Sequence, residues 1–350
     1  MIQYQLKLRL TAKQEATVKE WLWSLTGVWN WAVRKVELDA RDGRYYSGME
    51  LRNILANHAD RLGIPGHTLQ GALMDVHNAW AACFKKKRRK PKFKSNRRPL
   101  NSISFPDPIK GPKGNKISLP GLGNVRYHSQ YIPDGRIKCA RMVRRASGWH
   151  LCLFIDAKPM VIPHTGEGII GIDPGFSTLL TLSNGEKIAH PRELEATAKR
   201  LSQAQRGKKK KLVARLHERS ANQRKDRNHK LSRRLVAENA EIYFSADNHN
   251  VIARTMGKSV ASSAHGQLRQ MLAYKCLSGG RQYHEVSPKH STMRCSACGD
   301  LSGPTGLAGL AVRDWVCCGC GAAHNRDINA AINALNTGAG TAHEGREHAA

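Results

Sequence analysis

Four cysteines near the end of the 350-residue chain carry the clearest chemistry. Cys295 and Cys298 form one C-x-x-C pair, Cys317 and Cys320 a second, with eighteen residues between the pairs and a glycine after each, at 299 and 321. Paired thiolates at this spacing predict a tetrahedral site for one Zn²⁺ with every position filled by protein, which is structural rather than catalytic coordination. His290 and His324 are nearby in sequence but unnecessary as ligands, and Cys318 reads as a bystander. The second chemistry is that of carboxylates. Asp173 ends the apolar run GIIGID before Pro-Gly, where a side chain emerges from a strand, and Asp327 opens a helix in HNRDINAAINAL. Mg²⁺ takes carboxylate oxygens drawn from separate elements. Each acid also has a plainer role, Asp173 as a turn former and Asp327 as an N-cap.

The elements that must position these residues follow from periodicity. From Ile169 the pattern gives two strands, GIIGIDPG and TLLTLS, a turn at Asn184-Gly185 and a basic helical region over 192–238. A strand at EIYFSA, a helix over about 260–278, a strand at RQYHEVS and a helix from 327 complete an α/β sheet with helices on its faces. The first half reads differently. A period-2 strand at the start leads into a capping box, Thr11 with Gln14, and then into helices over about 18–36 and 68–84. The tryptophans at 21, 23, 29, 31 and 80 are expected in its core, as are Cys83, Cys139, Cys152 and Cys276. Residues 99–163 read as short strands of a small β-barrel or sheet to which the first strand can belong, with a domain boundary near 164.

Charge narrows the partners. The chain has 57 Lys and Arg against 27 Asp and Glu, a formal net charge of +30, which calls for a polyanion. Ten of these cations lie between Lys85 and Arg98 with no acid among them, an arm expected to contact phosphates. A second stripe of 16 basic and 4 acidic residues runs from Arg192 to Leu235. No run reaches the ~18–20 apolar residues of a membrane span. MIQYQLKLRL lacks the apolar block of a signal peptide, so a reducing, cytoplasmic setting is expected.

GIDPG, LSRRLVAEN, QMLAYK, VSPKHSTMRCSACG and WVCCGCGAAHNRDINAAINAL together resemble the RuvC-like and zinc-ribbon half of the TnpB family, the transposon-encoded RNA-guided nucleases related to type V CRISPR effectors. The N-terminal half is similar to that family's wedge and recognition domains. The resemblance implies an α/β RNase H-like nuclease domain at 164–290 and 323–336, with an inserted zinc ribbon at 291–322. It also implies a wedge-like β-barrel at 1–10 and 99–163, a helical recognition domain with the basic arm at 11–98, and a disordered tail at 337–350. The partners it implies are a guide RNA derived from the transposon end and double-stranded target DNA beside a short motif, with cutting by Mg²⁺. The chain is expected to work as a monomer on its guide, without a membrane, and to sit on the nucleoid when bound to DNA.

One departure stands out. Where the family has its middle catalytic glutamate, IYFSADN puts Ser245, which cannot supply the missing negative charge. In one explanation a carboxylate from elsewhere completes a Mg²⁺ site with Asp173 and Asp327. Glu285 in RQYHEVS is the first candidate and Asp247 the second. In the other, nuclease activity is lost and the protein is an RNA-guided DNA binder that represses transcription. A guide-independent zinc-ribbon protein binding RNA or DNA is a third reading, disfavoured by the family contexts of Asp173 and Asp327.

Overall fold

The computed structural model describes residues 2–158, 161–191, 195–246, 249–305, 309 and 311–347. The chain divides into two compact units, 1–159 and 160–350, a few residues before the joint expected near 164.

In the first unit β1 (Ile2–Arg9) is followed by α1 (Ala12–Arg41), α2 (Gly48–Asn53) and α3 (Gly66–Phe84). Five strands then follow: β2 (Ser102–Phe105), β3 (Lys116–Leu119), β4 (Gly123–Tyr127), β5 (Arg136–Arg145) and β6 (Gly148–Asp156). Of the barrel or sheet expected here, the structure has a six-stranded antiparallel sheet, ordered β2-β5-β6-β1-β4-β3 with β2 and β3 at its edges. The Thr11 capping box is present: its hydroxyl accepts from Gln14 N at 3.2 Å and its N–H donates to the Gln14 side chain at 3.1 Å. From that start the helical spacing of Val18, Leu22, Leu25, Ala32, Val33 and Val36 turns one face of α1 into the core.

The tryptophans do not all follow that face. Trp21 and Trp80 are buried, Trp29 is half-buried, and Trp23 and Trp31 are exposed. At 100° per residue, positions 23 and 31 fall outside the arc of α1 that the apolar stripe occupies, so their size could not bring them inward. Cys152 and Cys276 are buried as expected, whereas Cys83 and Cys139 are half-buried.

The second unit is built on β7 (Gly168–Pro174), β8 (Thr178–Leu182), β9 (Lys187–Ala189), β10 (Asn239–Ser245) and β11 (Gln282–Val286), in the order β11-β10-β7-β8-β9. β11, β10 and β7 are parallel; β8 and β9 continue antiparallel. The basic helical region is two helices, α4 (Ala198–Arg206) and α5 (Lys210–Glu238), separated where Lys208 takes a positive φ of 51°. α6 (His249–Ser263) and α7 (His265–Gly279) precede β11. The hairpin β12 (Asp314–Val316) and β13 (Ala323–Asn325) leads into α8 (Arg326–Glu347).

Alternation divides the sheet's two faces. Ile170, Ile172, Ile242 and Phe244 pack with Leu235 and Val236 of α5 and with Leu268, Leu272 and Cys276 of α7. On the other face Tyr243 and Val286 pack with Ala334, Leu335 and Ala339 of α8. This approach needs glycine: a β-carbon at Gly171 would collide with the Ala331 carbonyl, and one at Gly338 with the Tyr243 ring.

That contact falls within the segment from 337 expected to be disordered. α8 runs from Arg326 to Glu347, and Gly338 and Ala339 are small enough to keep that part of it against Tyr243. The lack of large apolar residues, read as inability to fold, is what allows the close packing.

Candidate active site and metal centre

Strand register assembles one row of side chains. Ile172 aligns with Phe244, so the next residues, Asp173 and Ser245, stand at one level on neighbouring parallel strands. Asp173 is also opposite Thr181, and Thr181 is opposite Lys187. Ser245 is beside Val286. Paired residues share a face, so Val286, Ser245, Asp173, Thr181 and Lys187 lie on the side covered by α8. Lys187 Nζ donates to Asn325 Oδ1 at 3.0 Å, which ties the end of this row to the residue just before α8. Asp327 is in the first turn of α8, where the N-terminal dipole favours negative charge. The helix that opens at Asp327 therefore covers the sheet face on which Asp173 stands.

Glu285 does not join them. It aligns with Phe244, one position before Ser245, and so lies on the opposite face, beneath α7. There Arg269 of α7 donates to both its oxygens, through Nε at 2.9 Å and through Nη2, and the Tyr283 hydroxyl donates at 3.1 Å. The carboxylate holds the Arg269 guanidinium above its ordinary range. The expectation that Glu285 completes a site with Asp173 does not fit this register: a one-residue step along a strand reverses the face. Asp247 lies outside the described residues. Ser245 is buried, a small neutral hydroxyl beside Asp173.

Asp327 accepts from Arg313 Nη1 at 2.9 and 3.1 Å, and Arg326 N donates to the Arg313 carbonyl at 2.6 Å. Nothing in the sequence marked Arg313 or Lys187. Arg313 falls in the long interval between the cysteine pairs, and Lys187 is on a three-residue strand too short to show a period.

The four cysteine sulfurs lie within 4.8 Å of one another. Cys295 Sγ is 3.7 Å from Cys320 Sγ, and Cys298 Sγ is 3.6 Å from Cys317 Sγ. A tetrahedron with Zn–S bonds of about 2.3 Å has S···S edges of about 3.8 Å, so these thiols fit one Zn²⁺. Cys318 is exposed and stands outside this set. His324 Nε2 is 3.0 Å from Cys295 Sγ, placing the histidine against the cluster. The Ser302 hydroxyl donates to Cys317 Sγ at 3.2 Å and draws that thiol down to about 6. Two buried asparagines of α8 join the ribbon to the helix that carries Asp327. Asn329 donates to the Arg294 carbonyl at 2.8 Å and accepts from Ser296 N at 2.9 Å; Asn333 donates to Ser291 O at 2.8 Å and Arg294 O at 2.6 Å. Their four-residue spacing puts both on one helix face, a signal present in INAAIN but concealed by its alanines.

In the first unit the basic arm is tied along α1. Lys90 pairs with Glu37, Trp29 Nε1 donates to Lys92 O at 3.1 Å, and Leu100 N donates to Thr26 Oγ1 at 3.1 Å. Asn30 both donates to Lys94 O at 2.9 Å and accepts from Lys94 N at 2.7 Å. Glu37 also faces Arg41 and Arg34, and these cations, Lys90 first, hold its carboxyl below the usual range.

Known proteins resemble both halves of the second unit. A family model described as "Probable transposase" matches residues 158–246, and one described as "Cas12f1-like, TNB domain" matches 265–334. A Streptomyces pristinaespiralis protein named "Putative RNA-guided DNA endonuclease" is 31% identical over 290 residues, covering 77% of this chain and 71% of that protein. "Putative RNA-guided DNA endonuclease InsQ" of Escherichia coli (strain K12) is 27% identical over 304 residues, covering 78% and 75%. A solved Cas12f1–sgRNA–target DNA complex aligns over 96% of this chain and 99% of that chain at 16% identity and a TM-score of 0.38. Among the described residues no helix is long and apolar enough to cross a membrane. At 31% identity across most of both sequences, with the transposase and TNB models matched in order, the chain belongs to the TnpB family of transposon-encoded RNA-guided DNA endonucleases.

Proposed function

We propose that this protein is an RNA-guided DNA endonuclease that cuts DNA beside a short motif by Mg²⁺-dependent phosphodiester hydrolysis. The observation that supports the reading is that Asp173 ends β7 on the sheet face over which α8, opening at Asp327, is packed. These two carboxylates are the residues that would hold Mg²⁺. Bound there, the ion supplies positive charge to the phosphate oxygens and lowers the pKa of a water. Asp173 and Asp327 contribute negative charge from two separate elements, and Lys187 holds the segment that introduces α8 against the sheet. Zn²⁺ on Cys295, Cys298, Cys317 and Cys320 is structural and closes the ribbon. Guide RNA and target DNA lie along the basic surfaces, and pairing with the guide supplies sequence specificity.

The observation favouring a second reading is Ser245. Ser245 is in the row beside Asp173 and Glu285 faces α7, so neither adds a carboxylate to Asp173 and Asp327, and a guided binder without nuclease activity is the alternative. The test is to sequence RNA that copurifies with the protein, then supply a target matching it. Cutting in Mg²⁺ supports the first reading. Tight guided binding without cutting supports the second, and absence of a defined RNA removes both.

A further inference from the structure

The arm following α3 has cations that fit any polyanion, but its aromatic neighbours select among polyanions. Phe84, the last residue of α3, directly precedes Lys85, Lys86 and Lys87, and it is 47% exposed. Its ring stacks on Trp80 at 5.3 Å with an interplanar angle of 26°, and meets Tyr45 edge-on at 5.4 Å and 85°. Trp80 is buried, so the ladder is anchored in the core at one end, and Tyr45, at the other end, is 64% exposed. Within the arm itself Phe93 is 54% exposed, between Lys92 and Lys94, whose backbones are held by Trp29 and Asn30.

Phosphate contacts alone require no rings, and leaving rings in water sacrifices the free energy of burying them. Rings interleaved with cations on an ordered backbone are the arrangement that binds unpaired bases, because every base offers a π-face and a duplex conceals them in its stack. We propose that Tyr45, propped at right angles against Phe84, offers the ring face on which an unpaired base of a single-stranded nucleic acid stacks while its phosphates follow Lys85, Lys86 and Lys87. The proposal rests on the nucleic-acid reading of the arm but not on nuclease activity. It makes the arm a reader of strandedness rather than a generic polycation.

The test uses the full-length protein, stripped of copurified nucleic acid, with a 12-nucleotide oligo-U, a matching oligo-dT and a mixed-sequence duplex of the same length. Tyr45→Ala with Phe84→Ala is expected to weaken single-strand binding by roughly 5- to 100-fold, the range for losing one stacked base. The slope of affinity against salt should be unchanged, and duplex binding should change less than twofold. Loss with oligo-U alone assigns the site to RNA; loss with both assigns it to either strand. Tyr45→Phe with Phe84→Tyr, which keeps both π-faces, should bind as the parent does and serves where the alanine variant folds poorly. Conversely, Lys85, Lys86 and Lys87→Gln should flatten the salt slope for single strand and duplex alike. Single-strand affinity unchanged in the alanine variant, or an equal loss for duplex, overturns the platform. So does loss of single-strand affinity in the conservative variant.

Discussion

Asp173 and Ser245 stand side by side at the ends of two parallel strands, on the sheet face that α8 covers, so the carboxylate at the row's centre has a buried hydroxyl as its neighbour. A glutamate at 245 would add negative charge next to Asp173 without changing the strand order. Ser245→Glu is therefore expected to increase Mn²⁺ affinity, read by isothermal titration, by at least several-fold over the parent. An unchanged affinity would mean that the 245 position does not face the metal.

Glu285 gives the opposite expectation. Because it lies against α7 and pairs with Arg269, Glu285→Gln should leave guided cleavage within about twofold while lowering stability by at most about 1 kcal/mol, since the pair is partly exposed. A loss of cleavage with normal stability would return this residue to the metal site and contradict the register.

The zinc ribbon should fail as a unit. Cys298→Ser is expected to lose zinc by elemental analysis and to expose the ribbon to proteolysis, because a small metal-closed segment takes its folding energy from the ion. Asn329→Ala should cost about 1–3 kcal/mol by leaving Ser296 N and Arg294 O without this partner. Intact zinc content in Cys298→Ser would refute closed four-thiolate coordination.

Lys275 supplies a pH signature. It is buried between α7 and α5, donating to His229 O and Ser232 Oγ at 2.7 Å each, and burial lowers its pKa from 10.5 to about 8. Between about 8 and 10.5 the unfolded chain holds more protons than the folded one, so this group makes stability rise with pH across that window. Below about 8 the folded protein bears the full cost of a buried charge. Denaturant melts of Lys275→Met should lack that portion of the rise. A difference between parent and variant that stays constant from pH 7 to 11 would contradict the burial.

The arm's attachment predicts its own loosening. Asn30→Ala removes two hydrogen bonds to Lys94, and trypsin should then cut within 85–98 several times faster than in the parent. Equal cleavage rates would show that the remaining ties suffice.

Much of this was legible from residue order. The Thr11 capping box, the apolar stripe of α1, the strand ending at Asp173 and the helix opening at Asp327 are local patterns, and each formed where its pattern lay. What depended on pairing across the chain was not legible. The face on which Glu285 falls is set by its alignment with Phe244, forty-one residues earlier in the sequence, and a shift of one would reverse it. The seat of Gly338 against the Tyr243 ring likewise depends on a residue far away in the sequence. Arg313 and Lys187 entered the site through contacts that no spacing announces.

The most direct test of the central claim is a guided cleavage assay in Mg²⁺ comparing the parent with Asp173→Ala and Asp327→Ala, each loaded with the copurified RNA. The account predicts that the parent cuts the matching target, and that both variants bind it with unchanged affinity while cutting at least a hundred-fold more slowly. A parent that binds the target and never cuts it, together with a Ser245→Glu variant that does, would contradict the endonuclease reading and establish the guided binder.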